Sequence, residues 1–123
     1  MNTARHILIT GAAKGIGRAV AESFAAESGT RLILLDHDSV ALAQWLEDCR
    51  PAADVHVHAC DISDLDGLRA VIQQVGQSHG HIDVLVNCAG ICDENEADDI
   101  ANWHKVIAVN LHGTYYVIAL CLP

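Results

Sequence analysis

The feature that most constrains this chain is a period: four times a short apolar run is followed by a segment of helical spacing. The runs are 6–10, "RLILLD" (31–36), "DVHVHACD" (54–61) and "IDVLVN" (82–87). Behind the first, Ile16, Val20 and Phe24 recur every four residues up to Gly29, the spacing of one helix face with a glycine stop. Leu42, Trp45, Leu46 and Cys49 share a second face, behind a cap at Asp38 or Ser39 and ahead of Pro51. Ser63 and Asp66 form a capping-box-like pair around a third face of Leu65, Leu68, Val71, Ile72 and Val75. A last long helix, capped at Asp98 or Asp99, is expected through Trp103, Val106, Ile107, Asn110 and Leu111 toward Pro123. Strand and helix in alternation dictate parallel strands with right-handed crossovers. The expected fold is therefore α/β, a doubly wound parallel sheet of about four βα units in one domain, 1–123. The run 31–36 lacks alternation, as a strand covered on both faces requires, whereas 54–61 alternates and belongs near a sheet edge.

A chain of 123 residues, 51% apolar, can bury its own core, which excludes a disordered chain. A net charge of −9 with seven Lys and Arg in total excludes nucleic acid, whose binding draws on clustered basic residues. No run reaches the roughly 18 apolar residues of a spanning helix, and "MNTARHILIT" has too short an apolar core for a signal peptide. The expected setting is the cytoplasm, with no membrane partner. The five cysteines, Cys49, Cys60, Cys88, Cys92 and Cys121, are irregularly spaced without a CxxC pair, and are expected as small buried thiols.

The stretch "ITGAAKGIGRAV" (9–20) places glycines between the first strand and its helix. A helix N-terminus offers unpaired N–H groups and the positive end of its dipole, and side chains there would hold a pyrophosphate away. Gly11, Gly15 and Gly17 leave that backbone open. Asp36 ends the second strand 19 residues after Gly17, where a carboxylate can accept hydrogen bonds from ribose hydroxyls. Together they point to a dinucleotide.

The spacing "TGAAKGIG" (10–17) resembles the TGxxxGxG of the short-chain dehydrogenase/reductase family. The resemblance continues in order through "CDIS" (60–63), "NCAG" (87–90) and "WHKVIAVNLHGTYY" (103–116), and so covers essentially the whole chain. It implies a Rossmann-type domain holding NAD(P), with Gly11, Lys14, Gly15, Ile16 and Gly17 at the pyrophosphate. It further implies Asp61 toward the adenine amino group with the Ile62 backbone beside it, Asn87 steadying the central sheet, and Ala89 and Gly90 lining the cofactor. Cys88 stands where the family motif usually has a second Asn. Asn110 is the implied catalytic residue, on a helix locally distorted so that its backbone carbonyl holds a water. Asp36 repels a 2′-phosphate and no Arg or Lys follows it in "DHDS", which favours NAD over NADP; Lys14, where the family's NADP users often carry a basic residue, points the other way. The TGxxGxxG spacing usual in epimerase and dehydratase relatives is absent.

The implied chemistry is hydride exchange between a nicotinamide cofactor and a small secondary alcohol or ketone. It needs a Tyr, a Lys four residues later and a Ser, because a phenol of pKa about 10 must be shifted toward neutrality. Tyr115 is followed at that distance by Ala119, Tyr116 by Leu120, and the two lysines are Lys14 and Lys105. The expectation is a dinucleotide-binding part that by itself binds NAD weakly or not at all and turns nothing over; a non-catalytic nucleotide-binding or interaction module is the alternative. A fragment, a split protein and a truncated reading frame all suit the sequence. Strand 82–87 is expected as an open apolar edge, and the chain to be weakly stable or associated, with a second copy or a complementing C-terminal half; the family's dimers and tetramers use the helix at 98–122. His56, His58 and Cys60 look like metal ligands but are read as a half-exposed strand face, and His79 and His81 as solvated loop residues, so no metal is expected. Cys88 and Cys92 have no paired base for a nucleophile's role, and "DENEADD" (93–99) is read as a solvated cap.

Overall fold

Both faces of the second apolar run are covered, and this decides the architecture. The computed structural model describes residues 4–92 and 97–123, so the acidic positions 93–96 lie outside the described residues. In chain order the elements are β1 (Arg5–Thr10), α1 (Gly15–Ala25), β2 (Thr30–Asp36), α2 (Ser39–Cys49), β3 (Asp54–Ala59), α3 (Leu65–His79), β4 (Val84–Asn87), α4 (Ile100–Ile107), a π-helical segment (Ala108–Gly113) and α5 (Thr114–Cys121). The four strands are parallel in the order β3-β2-β1-β4, with Ile7 opposite both Leu32 and Val84. Alternate residues of β1 and β2 feed two cores. Ile7, Ile9, Leu32 and Leu34 pack with Leu42 and Trp45 of α2, while Leu8, Ile33 and Leu35 pack with Leu68 and Val75 of α3 and Val117 of α5. β3 lies at an edge, as its alternation requires, and β4 at the other. No described helix is long and apolar enough to cross a membrane.

Several local expectations are corrected. α1 ends at Ala25, four residues before Gly29, whose positive φ of 80° serves the turn into β2. Its inward face is built from the small residues Gly17, Ala21 and Ala25, which let it approach the sheet closely, and Ile16 is 79% exposed. α3 is capped by Asp64, whose Oδ1 accepts the Gly67 N–H at 3.2 Å, because Ser63 is engaged by Asp61 and not by the helix. For α2 and α4 the caps are Asp38, accepting from Ala41 N–H, and Asp99, accepting from Asn102 N–H. The last helix widens at Ala108–Gly113, around Asn110, as the resemblance implies. The thiols are less buried than expected, with Cys92 exposed and the other four half-buried. Burial still pushes the Cys60 and Cys121 thiols up to about 11, so neither is a thiolate near neutrality.

His79 is the other correction, since it sits half-buried in the last turn of α3 with its ring 4.4 Å from that of His56. His58 and His79 are held below the ordinary histidine range, first by burial and then by His56. Around His79, Arg31 and His6 push the same way and Asp54 opposes them. The α3 C-terminus favours a cation there, yet burial outweighs it. Such groups are neutral in the fold, so folding competes with protonation once the pH falls below the unfolded value of about 6.5. Melting temperature is therefore expected to be level above about pH 7 and to drop as the pH falls from about 6.5 toward 5. His79→Leu should reduce that drop; an unchanged slope would show that His79 carries none of it. Among the described residues no group of three His, Cys, Asp or Glu is placed to hold a metal.

Candidate functional site

The strand order reverses between β1 and β4, and ligands of open α/β sheets bind in the crevice beyond the strands' carboxyl ends at such a point. A cleft of about 530 Å³ lies there. It is lined by Gly11 and Lys14 from the first turn, Asp36 and His37 beyond β2, Asp61 and Ile62 beyond β3, and Ala89 and Gly90 beyond β4. Lys105 and Val109 close it from the last helix. The opposite end of the sheet has a shallow hollow between α3 and α5, lined mainly by apolar groups such as Ile72, Val75 and Leu120, without converging charges.

The glycine turn is shaped by contacts that tolerate no side chain. Gly11 has φ +63°, and a Cβ on it would stand 2.7 Å from the Ala89 backbone. A Cβ on Gly17 would run into the Gly11 carbonyl, so the first turn of α1 lies directly on the turn before it. Gly15 has open space around it and is needed for its φ of +60°. Lys14 caps α1 without a side-chain bond, and no acidic residue occupies the first turn. The helix N-terminus at Gly15, Ile16 and Gly17 thus remains open for an anion. Ile16, Gly15 and Gly17 are not themselves among the cleft's walls.

Thr10 was not singled out from the sequence, yet it ties the turn to β4. Its buried Oγ1 accepts the N–H groups of Cys88 and Ala89, both at 3.2 Å. Asn87 ends β4 opposite Thr10. The sequence signals for the tie are a hydroxyl residue closing an otherwise apolar strand and its place at the head of the TGxxxGxG spacing.

Asp36 is buried, and its carboxylate is engaged by the protein's own backbone: Oδ2 accepts the Ala13 N–H and Oδ1 the Asp38 N–H, each at 3.0 Å. It therefore locks the glycine turn to the end of β2, and the capping of α2 falls to Asp38. Lys14 Nζ lies 3.6 Å from Asp38 Oδ2, an ion pair across the mouth of the cleft. His37 Nδ1 lies 3.3 Å from Asp36 Oδ1 with its ring mostly in solvent. Asp61 Oδ1 accepts both the hydroxyl and the N–H of Ser63, at 2.7 and 2.9 Å, and the hydroxyl bond holds its carboxyl below the ordinary range. Ile62 is buried against Gly113, where a Cβ would meet its side chain at 2.6 Å.

Asn110 stands in the π-helical segment, so the expected distortion is present. Its side chain forms a reciprocal pair with Ile91, accepting the Ile91 N–H and donating to the Ile91 carbonyl, both at 2.8 Å. Its own carbonyl accepts the Thr114 hydroxyl at 3.0 Å. The helix thereby holds the loop after β4 in place, with Gly90 small enough to pass beneath the Asn110 amide.

A parallel sheet with this order, a glycine turn opening its first helix and an acid ending its second strand define the Rossmann-type α/β class. The profile described as "short chain dehydrogenase" matches residues 5–123, and the chain belongs to that family. Among curated relatives, the D-threitol dehydrogenase of Mycolicibacterium smegmatis is 36% identical over 113 residues, covering 88% of this chain and 42% of its own. The human 15-hydroxyprostaglandin dehydrogenase [NAD(+)] is 37% identical, covering 88% of this chain and 41% of its own. Among solved structures, the glucose/ribitol dehydrogenase-type short-chain dehydrogenase/reductase of Brucella melitensis superposes with a TM-score of 0.86 at 34% identity, covering 99% of this chain and 51% of that one. The chain thus spans about half the length of the relatives it matches. Its family is one of oxidoreductases that use NAD(P) and small alcohol or ketone substrates.

Proposed function

We propose that this chain is the dinucleotide-binding part of an NAD-dependent short-chain dehydrogenase/reductase that interconverts a secondary alcohol and a ketone. The observation that carries the reading is the contact of Gly17 with Gly11 and of Gly11 with Ala89, a cradle that any Cβ would fill, beneath an uncapped helix N-terminus. In this reading the N–H groups at Gly15, Ile16 and Gly17 bind the pyrophosphate, and Gly11 and Lys14 border it. Asp36 fixes the ribose corner, Asp61 and the Ile62 backbone meet the adenine, and Ala89 and Gly90 border the path to the nicotinamide. Asn87 and Asn110 hold those strand ends and loops in position, with the Asn110 carbonyl nearest the reaction in the whole enzyme. The nicotinamide cofactor, when bound, supplies or accepts the hydride.

NAD is favoured over NADP because two carboxylates, Asp36 and Asp61, line the cleft, and Lys14 is paired with Asp38. Free cysteines suit a cytoplasmic setting. The exposed row Ile100, Trp103, Leu111, Tyr115 and Ile118 suits pairing with a second copy or a complementing C-terminal segment. Titration calorimetry should give saturable NAD binding about tenfold tighter than NADP, with a mass above the monomer in light scattering. No alcohol should be oxidised, since neither Tyr has a Lys four residues on. Absent NAD binding, or turnover by this chain, would overturn the reading. Binding without turnover also fits a nucleotide-binding module.

A further inference from the structure

We propose that the last turn of α3, residues 76–79, is a proton-operated latch on the edge strand β3. It lies closed while the His79 ring is neutral and swings away about Gly80 when that ring takes up a proton. Of residues 76–80 His79 alone is not exposed, so the turn beyond the buried Val75 is held down by this one side chain. Its ring lies 4.4 Å from that of His56 on β3 and 6.4 Å from that of His6 on β1. The chain on the far side of the turn is fixed to β1. His6 donates from Nδ1 to the His81 carbonyl at 2.9 Å and from its N–H to Asp83 Oδ2 at 2.7 Å, and its carbonyl accepts the Asp83 N–H at 2.9 Å. Between the fixed segment and the lightly held one stands Gly80, with a φ of +84° and open space around it.

The groups around His79 come from every element packed on it. β1 brings His6, β2 brings Arg31, and β3 brings Asp54 and His56, with His58 two residues further along. The segment after the turn carries His81 and Asp83. From α5 the Cys121 thiol reaches the hollow beside Gly76 and Gly80, and it stays protonated because burial pushes it up to about 11. Both carboxylates are already engaged: Asp54 lies 2.7 Å from Arg31 Nε and 3.0 Å from His56 Nε2, and Asp83 lies 2.8 Å from His81 Nε2. His79 Nδ1 is buried without a hydrogen-bond partner among the described residues. A proton arriving there meets no acceptor, a guanidinium and two further imidazoles. The closed turn therefore disfavours the charged ring, and solvent, one swing away, accommodates it. Histidine is the side chain whose ordinary titration makes such a device work between pH 5 and 8.

The test is native-state hydrogen exchange, followed by NMR, on the whole chain and on its His79→Gln and His56→Gln variants. Rates are taken at pH 7.5 and 5.5 over a series of low urea concentrations and corrected for the intrinsic effect of pH. The Gly80 amide, which donates to the Gly76 carbonyl at 2.9 Å, reports the latch, and the core amides of α2 report global unfolding. Gly80 is expected to exchange through an opening with a shallower urea dependence than the α2 core. That opening should become about tenfold more populated at pH 5.5, the factor for a ring that titrates near 6.5 only when released. His79→Gln should remove this pH dependence, and His56→Gln, which takes away the neighbouring ring, should reduce it. Exchange of Gly80 with the urea dependence of the α2 core at both pH values would overturn the latch. The same pH dependence in the parent and both variants would overturn the part played by His79. Circular dichroism checks each fold; should His79→Gln not fold, an unchanged pH dependence in His56→Gln overturns the proposal and a reduced one supports it.

Discussion

Replacing Gly17 with alanine is expected to weaken the proposed dinucleotide binding at least about a hundredfold and to lower the melting temperature by several degrees. The added Cβ has nowhere to go: it meets the Gly11 carbonyl, which is backbone and cannot rotate away, and lies 3.1 Å from the Cys88 Cβ. Relief requires α1 to lift from the turn, which takes the N–H groups at Gly15–Gly17 away from any bound phosphate. Overpacking of this kind costs about 1–3 kcal/mol or more, and binding falls by at least about a hundredfold because position as well as stability is lost. Gly15→Ala separates the two effects. Its Cβ points into open space, so its cost is the positive φ alone, about 1–2 kcal/mol. Calorimetry and thermal melts of both variants decide the matter; wild-type affinity in Gly17→Ala would show that the turn does not carry a phosphate.

Trp45→Ala is expected to have the largest effect on stability. Trp45 is fully buried between α2 and the sheet, alongside Leu42, Ile9 and Leu34. Removing a buried indole typically costs about 3–5 kcal/mol, a large share of the roughly 5–15 kcal/mol that holds a domain together. Urea titration should find the variant largely unfolded or shifted to a much lower midpoint. Trp45→Phe should cost far less, since the indole Nε1 has no hydrogen-bond partner to lose. Trp103 is exposed, so the buried indole can be followed by its blue-shifted emission in a Trp103→Phe background.

The periods of two and of about 3.6 residues carried the fold in the sequence because they record which side of an element meets the core. "RLILLD" without alternation became the doubly covered β2, and the alternating 54–61 became the edge strand β3. Caps were legible to within one residue, Asp38 rather than Ser39 and Asp99 rather than Asp98. At α3 the expected Ser63 gave way to Asp64, because the Asp61 carboxylate draws the serine away. The glycine turn and the carboxylate at Asp36 were visible as spacing, but not that Asp36 would spend both oxygens on Ala13 and Asp38. Contacts across long separations left no local mark. Thr10 beneath Ala89, Asn110 on Ile91 and His56 against His79 are side chains that only the folded sheet brings together.

The wide turn at Ala108–Gly113 has a consequence for how the last helix counts. Each residue of an α-helix turns the chain by about 100°, and a π turn inserts one residue without adding a step of rise that the next element would notice. The segment acts as a phase shifter between α4 and α5, letting the first aim Lys105 at the cleft while the second seats Val117 in the core. Straightening the segment into α-helix with every residue kept would rotate one half by about a quarter turn against the other. Either the cleft wall or the core contact would then be lost, although neither Val117 nor Lys105 had been touched.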